Sequence, residues 1–331
     1  MKRLIILAAT LIAGLSACDS LLDKEPLDRV TQFDYFKTRS DLELFSNPFY
    51  DNLLDKTPYD EQNDLLVQMT LSDVLYGGDK RTVPNTGGGW SWGNLRRINT
   101  LLEYVDQCED KKAVTEYTAL AKFFRAAFYF DKVKRFGDVP WYEQVIGSEE
   151  EELLKKPRED RGIIMDHVMN DLKNAIEMLP REKDVARVTR WSALALKSRI
   201  ALYEGTWRKY RNLPDADKYL QLAADAASTF ISESGYSLYK EGTEPYRDLF
   251  CSDDAKQEEV ILARIYNFEG LNLSHNVQFN IRNSAAGFTR RFMNHYLMAD
   301  GSRFTDRQGW QTMEFKDQCT NRDPRLEQSI R

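Results

Sequence analysis

Histidine, cysteine and catalytic signature motifs are scarce in this chain of 331 residues. It has three histidines and four cysteines, and the cysteines lack the paired spacing that structural zinc sites use. It contains no HExxH, no GxSxG and no glycine loop that could cradle a phosphate. These absences argue against zinc proteases, serine hydrolases and nucleotide-dependent enzymes. We therefore expect neither a metal nor an organic cofactor.

Positive charge and long apolar runs are also limited. The chain has 46 Lys and Arg against 52 Asp and Glu, a formal net charge of −6. An acidic protein is poorly suited to the phosphate backbone, so no nucleic-acid partner is expected. No segment has eighteen uninterrupted apolar residues, so no transmembrane helix is predicted. The hydrophobic fraction of 42% and the aromatic fraction of 12% indicate a packed globular protein.

The N-terminus has the order of a secretory signal. Two basic residues precede the apolar run 4–15, which is too short to span a bilayer, and small residues then lead to Cys18. This order resembles a bacterial lipoprotein signal with its lipobox. The resemblance implies removal of residues 1–17, acylation of Cys18 and a lipidated arm over 18–40. The alternative is an ordinary secretory signal in which Cys18 has no special role.

Helical periodicity dominates the chain after residue 40. The segments with this spacing are 41–55, 94–107, 117–136, 160–179, 190–204 and 215–232. Thr189 is expected to cap the fifth of these helices, and Gly205 to end it. The last four helices follow one another closely, which predicts an all-α fold of stacked, tetratricopeptide-like hairpins without a fixed period. Residues 259–266 predict a strand, and 267–331 predict loops and short elements.

The side chains of these helices are predicted to have structural roles. The aromatic residues between 123 and 130 have helical spacing and are expected in the core. Arg125 and Asp131 are expected to pair with neighbouring helices. On the last two helices, the residues expected to point inward include Leu202, Ala224 and Ile231.

The segment 76–93 differs from its helical surroundings. Its six glycines and one proline prevent regular structure, and it ends in Trp90 and Trp92. Sugar recognition uses flat aromatic faces together with polar groups for the hydroxyls. The polar candidates nearby are Asn94, Arg81 and Asp79. These five residues form the predicted ligand site, with the alternative that one tryptophan packs down as an anchor for the loop.

Four sequence blocks resemble one protein family. FFRAAFYFDKVKRFGDVPWY at 123–142 and RVTRWSALALKSRIALYEG at 187–205 are followed by MADGSRF at 298–304 and NRDPRL at 321–326. In this order they resemble the SusD/RagB outer-membrane lipoproteins of Bacteroidota. The resemblance covers essentially all of the chain after the signal, and the first block is its most specific part.

The resemblance implies both a fold and a role. The fold is an all-α, tetratricopeptide-containing SusD-like body, here 41–331, with long irregular ligand-binding loops. The role is nutrient capture at the cell surface, lipid-anchored in the outer membrane. Such proteins bind oligosaccharides, or sometimes peptides, and pass them to a TonB-dependent (SusC-like) transporter without doing chemistry. Family members usually continue past the NRDPRL block, so a chain ending at Arg331 is expected to be truncated or a short variant.

Two other functions are kept as alternatives. One is a structural partner of the transporter that has no ligand site of its own. The other is a secreted glycan-acting hydrolase, for which the pairs Asp253–Asp254 and Glu258–Glu259 are the available carboxylates. Acidic residues are abundant throughout the chain, which favours a solvated surface for both pairs.

Overall fold

The computed structural model describes residues 35–52, 65–67, 75, 88–267, 270, 274–275, 279 and 287–330. Cys18, the signal and most of the predicted arm lie outside the described residues. Within these ranges the chain is mostly helical, and its only strands are two short ones. The predicted all-α fold is therefore confirmed.

Eleven α-helices, named α1 to α11, follow one another in the described residues. They are α1 (Arg39–Ser46), α2 (Gly93–Tyr104), α3 (Lys111–Phe136), α4 (Glu151–Leu154), α5 (Arg161–Met178), α6 (Arg190–Lys209), α7 (Ala216–Glu233), α8 (Pro245–Cys251), α9 (Arg290–His295), α10 (Phe315–Cys319) and α11 (Pro324–Ser329). Short 3₁₀ turns cover Asn47–Asn52, Val105–Gln107 and Phe304–Asp306. The strands β1 (Leu66–Val67) and β2 (Gly287–Phe288) pair antiparallel.

The aromatic helix α3 lies at the centre of the core. The Asp110 carboxylate caps its start by accepting hydrogen bonds from two backbone N–H groups, at 2.9 and 3.1 Å. It ends at Gly137, whose φ of 72° favours glycine. α3 packs against α2 and α5, α5 against α6, and α6 against α7, so successive helices stack as predicted. The aromatic side chains buried on α3 are Tyr117, Phe123, Phe124, Tyr129 and Phe130.

Buried ion pairs join these helices. Arg125 of α3 donates two hydrogen bonds to Asp171 of α5, at 2.7 and 2.9 Å, which confirms the expected pairing between helices. The matching expectation for Asp131 is wrong. Its side chain is 65% exposed and pairs at 2.7 Å with Lys134, one turn along the same helix. A residue on the solvent side of α3 meets its own helix neighbours before it meets another helix.

The start of α6 was predicted correctly, but its end was not. Thr189 is its N-cap, and the Ser192 hydroxyl accepts a hydrogen bond from the Thr189 N–H at 3.3 Å. Gly205 does not end the helix, which continues to Lys209. A Cβ at Gly205 would lie 2.8–2.9 Å from atoms of Leu220. The glycine therefore permits the close approach of α6 and α7.

Two further expectations are wrong. Leu202 of α6 is exposed next to the buried Ala201, and Ala224 and Ile231 of α7 are exposed because the buried face of α7 is formed by Tyr219, Ala223 and Ala226. One position along a helix rotates the side chain by about 100°.

Residues 259–266 form no strand. The Ala263 N–H donates to the carbonyl of Val185 in a loop, at 2.7 Å. Ile261 packs against the small cluster around Trp191, and Leu262 against the main core. The apolar run is therefore explained by packing on two clusters, without a strand partner.

Neither a membrane-spanning helix nor a disulfide is found in the described part of the chain. No helix there is both long and apolar enough to cross a bilayer. Cys108, Cys251 and Cys319 are free thiols, and Cys108 is fully buried.

The Arg125–Asp171 pair generates a stability prediction. Asp171→Ala leaves the Arg125 guanidinium buried without its counter-charge, so the free energy of unfolding should fall by about 3–5 kcal/mol. Glu151→Gln is the control, because it removes an ion pair with Lys155 that is exposed on α4. Urea unfolding followed by circular dichroism measures both. A small effect of Asp171→Ala, equal to the control, would contradict a structural role for the buried pair.

Candidate ligand-binding cleft

The glycine-rich segment brings the two tryptophans against the end of α3. Gly88 and Gly89 both have positive φ, and a Cβ at Gly89 would lie 2.9 Å from Nε of Arg135. The Lys132 ammonium donates to the carbonyl oxygen of Gly89 at 2.5 Å. Burial lowers the pKa of Lys132. The segment is thus fixed to α3 immediately before Trp90.

Trp90 and Trp92 contact each other but have different surroundings. Their ring centres are 5.1 Å apart, and the rings are nearly perpendicular, at 80°. Trp92 is half-buried, and its ring lies 5.6 Å from that of Tyr142 and 5.7 Å from that of Phe128. Trp92 therefore packs as an anchor, as the alternative interpretation of the loop proposed for one tryptophan.

Trp90 remains 40% exposed. The Trp90 ring makes an edge-to-face contact with the Phe136 ring, and the ring centres are 4.8 Å apart. The guanidinium carbon of Arg158 lies 4.8 Å from the centre of the Trp90 ring. Trp90 is therefore the tryptophan that is available to a ligand.

The facing wall is the loop of residues 137–158, which side chains of α2 and α3 hold in place. The Tyr129 hydroxyl donates to the carbonyl of Pro140 at 3.3 Å and accepts from the Tyr142 N–H at 2.7 Å. The Asn99 amide donates to the carbonyls of Tyr142 and Gln144, at 3.1 Å each. These bonds satisfy loop backbone groups that have no sheet or helix partner.

A cleft of about 550 Å³ lies between the tryptophans and this loop. We call it the tryptophan cleft. Its principal members are Trp90, Trp92, Arg96, Tyr142 and Arg158, with Leu95, Ile146 and Leu154 as apolar neighbours. Its volume is in the range of small-molecule sites.

Asn94, the remaining predicted site residue that the structure describes, does not line this cleft. Asn94 and Ser91 line a second cleft, of about 460 Å³, on the opposite side of α2. That cleft also contains Arg97, Phe128 and Arg199. Asp79 and Arg81 lie outside the described residues. Of the three predicted residues that the structure describes, Trp90 and Trp92 lie together in the tryptophan cleft, whereas Asn94 faces the second cleft.

Sequence reasoning missed four residues at the cleft. Arg96 and Asn99 lie on the polar positions of the predicted helix 94–107, and Tyr142 ends the aromatic block 123–142. These positions were a usable signal, whereas nothing in the sequence marks Arg158. Asn99 is 1% exposed, and its Oδ1 has no hydrogen-bond partner in the described residues.

Two carboxylates next to the cleft-lining segment have structural contacts. Glu143 accepts from the Trp141 indole N–H at 2.9 Å, and Glu159 accepts from the Trp141 backbone N–H at 3.1 Å. Burial opposes ionisation of Glu159, but its hydrogen bonds to Lys156 and to this N–H outweigh the burial and lower its pKa. Both carboxylates therefore hold the loop.

A family model matches the part of the chain that builds this cleft. Residues 91–202, from the tryptophan segment through most of α6, match the SusD-like model described as "starch-binding associating with outer membrane". The chain contains a SusD-like domain. The resemblance inferred from the four sequence blocks is thereby confirmed.

Individual SusD-like proteins match over more of the chain. A SusD-like protein of Bacteroides ovatus is 23% identical over 79% of this chain and 49% of its own length. A SusD-like carbohydrate-binding protein of Bacteroides fragilis has a TM-score of 0.67 at 17% identity, covering 89% of this chain and 60% of that one. A structure solved with a xylogluco-oligosaccharide has a TM-score of 0.56 at 18% identity, covering 81% and 55%. The chain spans about half the length of the curated relatives it matches.

The different surroundings of the tryptophans predict different effects on stability. Trp92→Ala removes a packed ring and should lower the free energy of unfolding by about 2–3 kcal/mol. Trp90→Ala should change it by less than about 1 kcal/mol, because much of that ring is already in water. Thermal and urea unfolding measure both variants. Equal losses would contradict the assignment of Trp92 as the anchor.

Proposed function

We propose that this SusD-like protein binds oligosaccharides in the tryptophan cleft and delivers them to a TonB-dependent (SusC-like) transporter of the outer membrane. The observation that carries the proposal is the exposed indole of Trp90 in a cleft walled by polar side chains. A flat aromatic face packs against the CH groups of a pyranose ring, while nearby donors bind its hydroxyls.

The similar proteins support a sugar as the ligand. The matching family model is described as starch-binding, one solved structure similar in fold is titled a carbohydrate-binding protein, and another was solved with a xylogluco-oligosaccharide. The similarity to these solved structures concerns the fold. The proposal of a sugar ligand for this chain therefore depends on the residues of its own cleft.

The cellular setting is part of the same proposal. The lipobox-like order before Cys18 supports an acylated N-terminus, and the family description supports association with the outer membrane. Residues 18–40 would act as a tether from which the domain reaches the transporter at the cell surface. Binding without chemistry is supported by the described lining of the tryptophan cleft, which includes no aspartate or glutamate that could act as an acid or a base.

The ligand role of Trp90 is tested by substitution and calorimetry. Trp90→Ala should weaken binding of the cognate oligosaccharide by roughly tenfold or more, and Trp90→Phe should restore part of it by keeping a flat face. Tyr210→Ala is the control, because Tyr210 is an 82% exposed aromatic residue at the end of α6, outside the cleft.

The outcomes separate the alternatives. Unchanged affinity in Trp90→Ala would move the site away from the cleft. Co-purification with the transporter without affinity for any glycan would support a structural partner. Release of products from a labelled glycan would support a hydrolase.

The anchor is tested independently of the site. Cys18→Ser removes the thiol that the lipid would modify, so the protein should move from the membrane fraction to the soluble fraction with unchanged affinity for its ligand. Fractionation of cells and calorimetry on the released protein measure the two effects. Retention in the membrane would contradict the lipid anchor.

A further inference from the structure

The tryptophan cleft has an unusual charge for an acidic protein. Among the described residues that line it, four are basic and none is an aspartate or a glutamate. The basic residues are Arg96, Lys155, Lys156 and Arg158. The whole chain, by contrast, has six more acidic than basic residues.

The two lysines are already paired. Lys155 forms an ion pair with Glu151, and the Lys156 ammonium lies 2.6 Å from a carboxylate oxygen of Glu159. Two further glutamates of the loop also have contacts. Glu150 accepts from the Gly147 N–H at 2.6 Å, and Glu149 lies 3.4 Å from the Ser148 hydroxyl.

The two arginines have no carboxylate partner among the described residues. Arg96 donates one N–H to the carbonyl of Ile146 at 2.5 Å, which leaves its other donors for a ligand. Arg158 rests over Trp90 and makes no side-chain hydrogen bond there. Both side chains are exposed, so a ligand can reach them.

The position of Arg158 affects which sugar the exposed tryptophan can accept. A neutral sugar that stacks on the covered face of Trp90 displaces the guanidinium from the ring and offers it no counter-charge. A sugar carboxylate offers the displaced guanidinium a planar, two-oxygen partner. The exchange therefore favours an acidic sugar.

We infer that the tryptophan cleft prefers oligosaccharides that carry uronate carboxylates, with Trp90 as the stacking face and Arg158 and Arg96 as the carboxylate-binding groups. This inference rests on the proposed function, since it names the class of sugar bound at the same site.

The test compares ligands that differ only in charge. Oligogalacturonides and their methyl esters have the same sugar chain, and calorimetry gives the affinity of the purified protein for each. The acidic form should bind at least about tenfold tighter, and the difference should shrink at high salt. Arg158→Gln and Arg96→Gln should each reduce binding of the acidic form several-fold and thereby reduce the preference for the acid over the ester.

A matched control stands next to Arg96 on the same helix. Arg97 is exposed and lines the second cleft, so Arg97→Gln makes the same change in net charge on the other side of α2. It should not alter the preference for the acidic form. A loss equal to that of Arg158→Gln would overturn the assignment to the tryptophan cleft.

The remaining outcomes separate this inference from the proposed function. The panel of ligands also includes neutral gluco- and xylo-oligosaccharides. Equal affinity for the acid and the ester, or binding of the neutral oligosaccharides alone, overturns the uronate preference but leaves the proposal of sugar binding intact. No binding of any acidic or neutral oligosaccharide in the panel overturns the proposed function itself.

Discussion

The loop of residues 137–158 depends on hydrogen bonds from side chains, because little of its backbone outside the short helix α4 is paired in secondary structure. The Tyr129 hydroxyl binds two of its backbone groups, at 3.3 and 2.7 Å, and the Asn99 amide binds two more, at 3.1 Å each. Both side chains lie on helices that the core holds in place. Burial in that core raises the pKa of Tyr129 far above its ordinary value, so its hydroxyl stays protonated as a donor. The wall of the tryptophan cleft is therefore built onto the packed helices.

This arrangement gives the two tryptophans different roles: one supports the segment, and the other is available to a ligand. Trp92 packs between α3 and the loop and fixes where the segment enters α2. Trp90 can then remain exposed without the segment losing its place, because Gly89 and Lys132 hold the preceding turn to α3. A ligand-binding aromatic residue must keep an exposed face, which gives little stability, so its neighbours must supply the packing.

The sequence predicted the long helices α2, α3, α5, α6 and α7 well, because each of them buries apolar residues whose regular spacing is visible without a structure. It predicted the helix ends and faces less well. Gly205 reads as a stop signal but is needed for the approach of α7, and Ile231 reads as core but faces solvent, since a shift of one position rotates a side chain to another face. Trp90 and Trp92 were found from composition. Arg158 could not be found, because its role comes from a contact with Trp90, which is distant in the sequence.

A structure of the protein with a bound oligogalacturonide tests the central claim most directly. The account predicts a sugar ring stacked on Trp90 at about 4 Å and a carboxylate within about 3 Å of the Arg158 guanidinium. Trp92 should remain packed against Tyr142 and Phe128. A ligand ordered in the second cleft, beside Arg97 and Arg199, with Trp90 still covered by Arg158, would contradict it.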